Sequence, residues 1–288
     1  KGAKVDVNGA VRVNADGKYQ SIAISMAHDK TIGLGGNGTV NASDFMTSIK
    51  VGPFKLYETA DLFGGCVNAL VAQNQVRALI GDGSAESFAS VTGKRVDVIA
   101  NCEQLLVQLA DMAQSKYNTV SLTIGAIDDE SVAIARIGDY AKVDATEEDV
   151  IVKAVNRNWS YSTIPEVDSV LDDIGISDAG FFSLCLRMLY GANSAKAQVG
   201  EFADVVSRNG DIVVAARCDG QQRLMVHCVD LMGAMGSFRG MVNLFDRTCE
   251  TTIGKNAKLT TKNGSIIISA DGIEDAQMFG AAAGASLG

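Results

Sequence analysis

Apolar residues recur at three- and four-residue spacing along much of the chain. Val98, Cys102, Leu105, Leu106, Leu109 and Met112 follow this spacing, as do Leu224, Cys228, Leu231, Met235, Phe238 and Val242. Shorter stripes run through Leu62, Cys66 and Leu70 and through Phe181, Cys185 and Leu189. Such spacing marks one face of an α-helix, so the pattern predicts helices with cysteines on their apolar faces. The first twenty residues read differently. Lys4-Val5-Asp6-Val7 alternates, Asn8-Gly9 suits the positive φ angles of a type I′ turn, and Ala10-Val11-Arg12-Val13 alternates back, which predicts a β-hairpin. A related phrase returns from Asn263-Gly264 to Asp271-Gly272, with a weaker echo from Asn209-Gly210 to Val214, and predicts hairpins at the ends of, or between, helical layers.

The chain also repeats itself. An offset of 119 pairs Ala60 with Ala179, Phe63 with Phe182, Cys66 with Cys185, Leu70 with Leu189, Asn74 with Asn193 and Gly81 with Gly200. Farther on, an offset of 126 pairs Cys102 with Cys228, and one of 129 pairs Thr123-Ile124-Gly125 with Thr252-Ile253-Gly254. Loop insertions would widen an offset in this way, so the sequence predicts two tandem pseudo-repeats of about 120 residues in a mainly α fold with β-hairpins. The expected organisation is an N-terminal hairpin and glycine-rich loop over 1–45, repeat one over 46–155, a connector over 156–165, and repeat two with a C-terminal hairpin over 166–288.

Composition narrows the function. The 288 residues are 47% hydrophobic and 20% charged, which is globular rather than disordered. A net charge of −9 without clustered Lys and Arg excludes the electrostatic footprint of a nucleic-acid partner. No apolar run reaches the ~18 residues of a spanning helix, so the chain is expected not to cross a membrane. A start at Lys1 suggests a processed product from which any targeting segment has been removed. None of the six cysteines forms a Cys-x-x-Cys pair, which weakens zinc and thioredoxin-like readings.

Catalytic motifs are sparse. Gly33-Leu34-Gly35-Gly36-Asn37-Gly38 spells a dinucleotide-binding string, but His28-Asp29-Lys30 interrupts the strand that should lead into it. Gly284-Ala285-Ser286-Leu287-Gly288 spells a nucleophile elbow with no helix after it. His227 adjoins Cys228, yet neighbouring positions on a helix diverge by about 100°.

The cysteines carry two readings. Cys66, Cys102, Cys185 and Cys228 are core residues in the first, since free cysteine is among the most buried residue types. In the second, some hold a thioether-linked ligand, which needs a thiol at the edge of an apolar face, a cation for its carboxylates and aromatic walls. Cys185 has Phe181 and Phe182 before it and Arg187 after it, and Cys66 has Phe63 and Arg77.

The string Phe182-Ser183-Leu184-Cys185-Leu186-Arg187 resembles the bilin-attachment helix of phycobiliproteins. Length, duplication and paired cysteines resemble the gamma-type linkers of red-algal phycoerythrin or their chromophore-free relatives. That resemblance implies a non-catalytic linker of a light-harvesting phycobilisome rod, held by phycobiliprotein alpha/beta hexamers on the stromal face of the chloroplast thylakoid. It implies covalent phycoerythrobilin or phycourobilin on Cys66 and Cys185 first, then Cys102 and Cys228. Arg187 and Arg77 would pair with propionates, and Trp159 and Tyr161 would pack against a ring or a rod subunit. The alternative is a self-assembling surface, filament or virion protein without cofactor, suggested by the Asn-Gly phrases, the glycine content and the acidic balance.

Overall fold

The alternation of the first residues extends over most of the chain. The computed structural model describes residues 2–27, 32–34, 40–45, 63–112, 120–163, 182–231 and 236–285, and every helix or strand among them is a β-strand. The first coil comprises β1 (Lys4–Asp6), β2 (Ala10–Ala27), β3 (Ile32–Leu34), β4 (Val40–Phe45) and β5 (Phe63–Ile80). The second has β6 (Ser90–Gly93), β7 (Arg95–Met112) and β8 (Val120–Ile137), and the third has β9 (Lys142–Ala145), β10 (Val150–Thr163) and β11 (Phe182–Val199). The fourth has β12 (Asp204–Ser207), β13 (Ile212–Leu231) and β14 (Gly236–Ile253), and the fifth has β15 (Lys258–Thr261) and β16 (Ile266–Ala285).

Corresponding strands stack into three sheets. Sheet A contains β1, β6, β9, β12 and β15, sheet B contains β2, β7, β10, β13 and β16, and sheet C contains β5, β8, β11 and β14. All pairing between coils is parallel and free of register shifts, while β3 and β4 lie antiparallel against β2 and β5 at one end. The chain visits A, B and C in turn, then returns one rung on. This is a β-solenoid, in which sheet B advances 85 residues from Val11 to Val96 and then 54, 62 and 54 residues to Val150, Ile212 and Ile266, at the long end for repeat architectures. Its long strands run about 60 Å at 3.3 Å per residue, so five rungs make a flat slab.

Stacked residues of like type explain the fold. Val11, Val96, Val150, Ile212 and Ile266 share one row of sheet B, Val13, Val98, Val152, Val214 and Ile268 share another, and Ala15, Ala100, Ala154, Ala216 and Ala270 share a third. Sheet A stacks Val5, Val91, Val143, Val205 and Leu259. Sheet C faces them with Ile80, Ile137, Val199 and Ile253. These rows form the main core, and each fully buried Val or Ile contributes about 1.5–3 kcal/mol. The turns into sheet A also recur, with Tyr140, Phe202 and Asn256 at φ 58°, 57° and 59°. The Tyr140 and Phe202 rings stack on adjacent coils, 4.8 Å apart, which helps hold this left-handed backbone.

This architecture overturns the mainly α expectation. In β7 the inward positions Val96, Val98, Ala100, Cys102, Gln104, Leu106 and Gln108 are all buried at a period of two, and Asp97 is buried on the other face. Polar residues inside and Ile99, Leu105 and Val107 on the other face blur that alternation, and the remaining apolar positions match a helical template by coincidence. The predicted N-terminal hairpin is also replaced. β1 and β2 belong to different sheets, and Asn8-Gly9 turns the corner between them. Residues 156–163 of the predicted connector lie within β10, the middle long strand of sheet B.

The repeat is shorter than the sequence offset implied. Phe63 and Phe182 both pair with Val120, so the offset of 119 spans two coils. Cys102 shares its row with Asn156 and Cys218, not Cys228. Ile253 shares its row with Ile137 and Val199, whereas Ile124 lies elsewhere on β8. The glycine string from Gly35 to Gly38, together with His28, lies outside the described residues.

Ala154 sits in the middle of the alanine row with no exposed surface. Replacing it with Leu would force added volume between stacked neighbours, so Ala154→Leu is expected to lower stability by about 1–3 kcal/mol. Chemical denaturation of both chains measures this, and an unchanged midpoint would contradict the packing described.

Candidate functional site

Inside the slab, the apolar rows beside sheet A give way to polar residues near the middle of the long strands. Asn74 on β5, Gln104 on β7, Asp129 and Ser131 on β8, Asn156, Asn158 and Ser160 on β10, and Asn193 on β11 form one network. Each occupies an inward position because side chains alternate along a strand. A second apolar cluster, including Leu70, Leu106, Ile127, Leu189 and Leu224, closes the far side. The polar seam is thereby enclosed.

Asp129 is its centre. One carboxylate oxygen accepts from Gln104 Nε2 at 2.5 Å and Asn158 Nδ2 at 2.8 Å, and the other accepts from Ser160 Oγ at 2.5 Å. Ser131 Oγ donates to Asn193 Oδ1 at 2.6 Å, and Asn156 Nδ2 donates to the backbone oxygens of Ser131 and Ser194. The hydrogen bonds cross between sheets B and C and join three successive coils. Burial pushes the Asp129 carboxyl up to about 6, against the opposing effect of the Ser160 and Asn158 donors. With no exposed surface, Asp129 is placed to fix register rather than to meet a substrate.

A second cluster lies near the last coil. Arg247 on β14 forms an ion pair with Glu274 on β16 and donates to the Ile273 backbone oxygen at 2.6 Å. Gly220 makes room for this guanidinium, since a Cβ there would meet Arg247 Nη2. Farther toward the outer end of sheet C, a Cβ on Gly125 would likewise meet the Arg187 guanidinium.

The outer face of sheet B carries a charge ladder. Lys18, Glu103, Arg157 and Asp219 occupy one row with alternating sign, at 3.1, 2.9 and 3.8 Å between successive partners. Adjacent rows carry Trp159 and Tyr161, both half-buried, and Tyr161 Oη donates to Gln221 Oε1 at 2.6 Å. Cross-strand pairs of opposite charge support this stacking modestly.

The expected bilin residues are spread through this frame. Cys66 and Cys185 lie on β5 and β11, and both pair with Thr123 of β8. Cys228 pairs with Ala282 near the end of β13. The side chains of these three cysteines lie outside the described residues. Cys102 has no exposed surface, and burial raises its thiol to about 11. Arg187 is enclosed within the slab, whereas Arg77 is exposed on β5. The helices that would have carried paired thiols and propionate partners are strands here.

No protein-family model, curated protein or solved structure matches the chain. Among the described residues, no group of three or more His, Cys, Asp and Glu side chains could hold a metal ion, and no helix is long and apolar enough to cross a membrane.

The network around Asp129 was missed by the sequence reading. Its signal was available in Asn156-x-Asn158-x-Ser160-x-Ser162, where polar residues alternate with Val155, Arg157, Trp159 and Tyr161. Under helical expectations that segment looked like a polar connector.

The seam has a pH consequence. Because the folded pKa of Asp129 is raised from 3.8 to about 6, the folded state holds its proton more tightly than the unfolded state. Its contribution therefore favours folding below pH 4 and is lost as pH rises through 6, a change of about 3 kcal/mol. Denaturation of the wild-type chain and Asp129→Asn between pH 4 and 7.5 is expected to show this slope only in the wild-type difference. Parallel pH profiles would refute the assignment.

Proposed function

We propose that the chain is a non-catalytic structural protein that assembles by stacking solenoid ends, as a surface, filament or virion component. The observation that carries this reading is that both ends display the same inter-coil code. At one end Leu259 is half-buried, and Ile266 and Ile268 are 44% and 51% exposed. Val5 at the opposite end is 39% exposed, while Val11, Val13 and Ala15 on β2 are half-buried.

A second copy supplies the matching surface. Stacked head to tail, Leu259 meets the Val5 row, and Ile266, Ile268 and Ala270 meet Val11, Val13 and Ala15, continuing the packing already repeated through the coils. The antiparallel strands β3 and β4 cover only the outer parts of β2 and β5, leaving this inner portion of β2 unpaired among the described residues. Long strand edges invite such pairing, and a head-to-tail contact propagates instead of closing. Regular outer faces and a stacked interior serve an extended scaffold well.

Sedimentation velocity over a concentration series tests this reading. Mass is expected to rise with concentration, and Ile268→Lys is expected to weaken association at least about tenfold without unfolding the chain, because half of Ile268 is already exposed in a single copy. A wild-type chain that remains monomeric up to roughly 100 µM would overturn it.

A further inference from the structure

Cys218 and Cys249 come from different sheets and meet inside the fourth coil. Cys218 lies on β13, only 1% exposed, and Cys249 packs against the apolar cluster to which it belongs. Its sulfur also lies 3.5 Å from the Thr248 backbone oxygen, next to Cys249 in the chain. Cys249 lies on β14, half-buried, with its sulfur 3.1 Å from the Asp271 backbone oxygen on β16. Each of these free thiols thus reaches the backbone of the opposite sheet, which brings the two together in the interior between sheets B and C.

Equivalent positions show that the pairing is local. Cys102 and Asn156 share the Cys218 row, while Val76, Ala133 and Ala195 share the Cys249 row. Among the described residues, only the fourth coil places a thiol in both rows. Small neighbours, Ala216 on β13 and Ala195 beside Cys249, leave space for a short cross-link.

We propose that Cys218 and Cys249 form an inter-sheet disulfide under oxidising conditions, joining β13 to β14 in the fourth coil. A disulfide oxidant such as oxidised glutathione supplies the chemistry. Cys249, the more exposed thiol, loses its proton to solvent and attacks one glutathione sulfur, expelling the other as a thiolate. Cys218 then loses its proton and attacks Cys249 Sγ in the mixed disulfide, releasing the second glutathione thiolate. Two protein thiols lose two electrons, and the glutathione disulfide gains them to become two thiols.

The environment sets the order of these steps. Burial, reinforced by the neighbouring thiol, raises Cys218 and keeps it protonated, so it is a poor first nucleophile. Cys249 is the point of entry for the oxidant, while Cys218 resolves the intermediate and makes the reaction slow at neutral pH.

The test equilibrates the folded chain with oxidised glutathione, followed by alkylation and non-reducing peptide mapping. The expected product is a Cys218–Cys249 peptide pair lacking two hydrogens and separable by reductant, with a thermal midpoint about 5–10 °C above that of the reduced chain. Cys249→Ser, a conservative change at a half-buried position, is expected to abolish the link and the shift, whereas Cys102→Ser is expected to retain both. A folded wild-type chain in which both residues remain alkylatable, or join other cysteines, would overturn the proposal.

Discussion

Unshifted parallel stacking from coil to coil is the constraint on which the structure depends. Every inward residue meets its counterparts one rung above and below, so a side chain must suit its row as well as the opposite sheet. The Val, Val, Ala rows of sheet B satisfy that condition through Val150, Val152, Ala154 and their equivalents. Slipping one long strand by a single residue would turn its whole inward set to solvent, which is why the register is shared across all coils. Parallel strands also need long connections, so each coil must pass through all three sheets before its next stacking contact can form.

Apolar rows alone specify the register weakly at the middle of such long strands, because small hydrophobic side chains can exchange places with limited loss. The polar seam is more selective. Asp129 requires Gln104, Asn158 and Ser160 together, and these come from two coils of sheet B facing one strand of sheet C. Misplacing any of these strands would leave buried polar groups without partners, at roughly 1–3 kcal/mol each. The seam therefore acts as a lock for the centre of the slab, while the apolar rows provide most of its cohesion.

How much of this was legible in the sequence depends on which signal is followed. The Asn-Gly phrases and the offset of 119 were real traces of the solenoid, and Leu70 with Leu189 and Asn74 with Asn193 do share rows. Their spacing concealed an intervening coil, because Ile127 and Ser131 occupy the rung between with different residue types. The repeated corner, Ala3-Lys4-Val5-Asp6, Ala141-Lys142-Val143-Asp144 and Ala257-Lys258-Leu259-Thr260, is a more direct record of the short strands. Asp129 itself carried no local motif, since its partners are 25, 29 and 31 residues away and converge only after the coils stack.

The fourth and fifth coils depart from this economy of repeated rows. Sheet C has no strand opposite β16 on its own rung among the described residues, so inward residues such as Ile268 remain exposed and the usual apolar closure is incomplete. Stronger local links occur at the same place: Arg247 reaches Glu274 and the Ile273 backbone oxygen, and the Cys218 sulfur lies 3.5 Å from the Thr248 backbone oxygen. An ion pair holds β14 to β16, and oxidation of the two free thiols would add a link between β13 and β14. Together they would restrain the three strands whose edges otherwise fray first, and keep the stacking surface of β16 in shape while its apolar residues stay open to a partner.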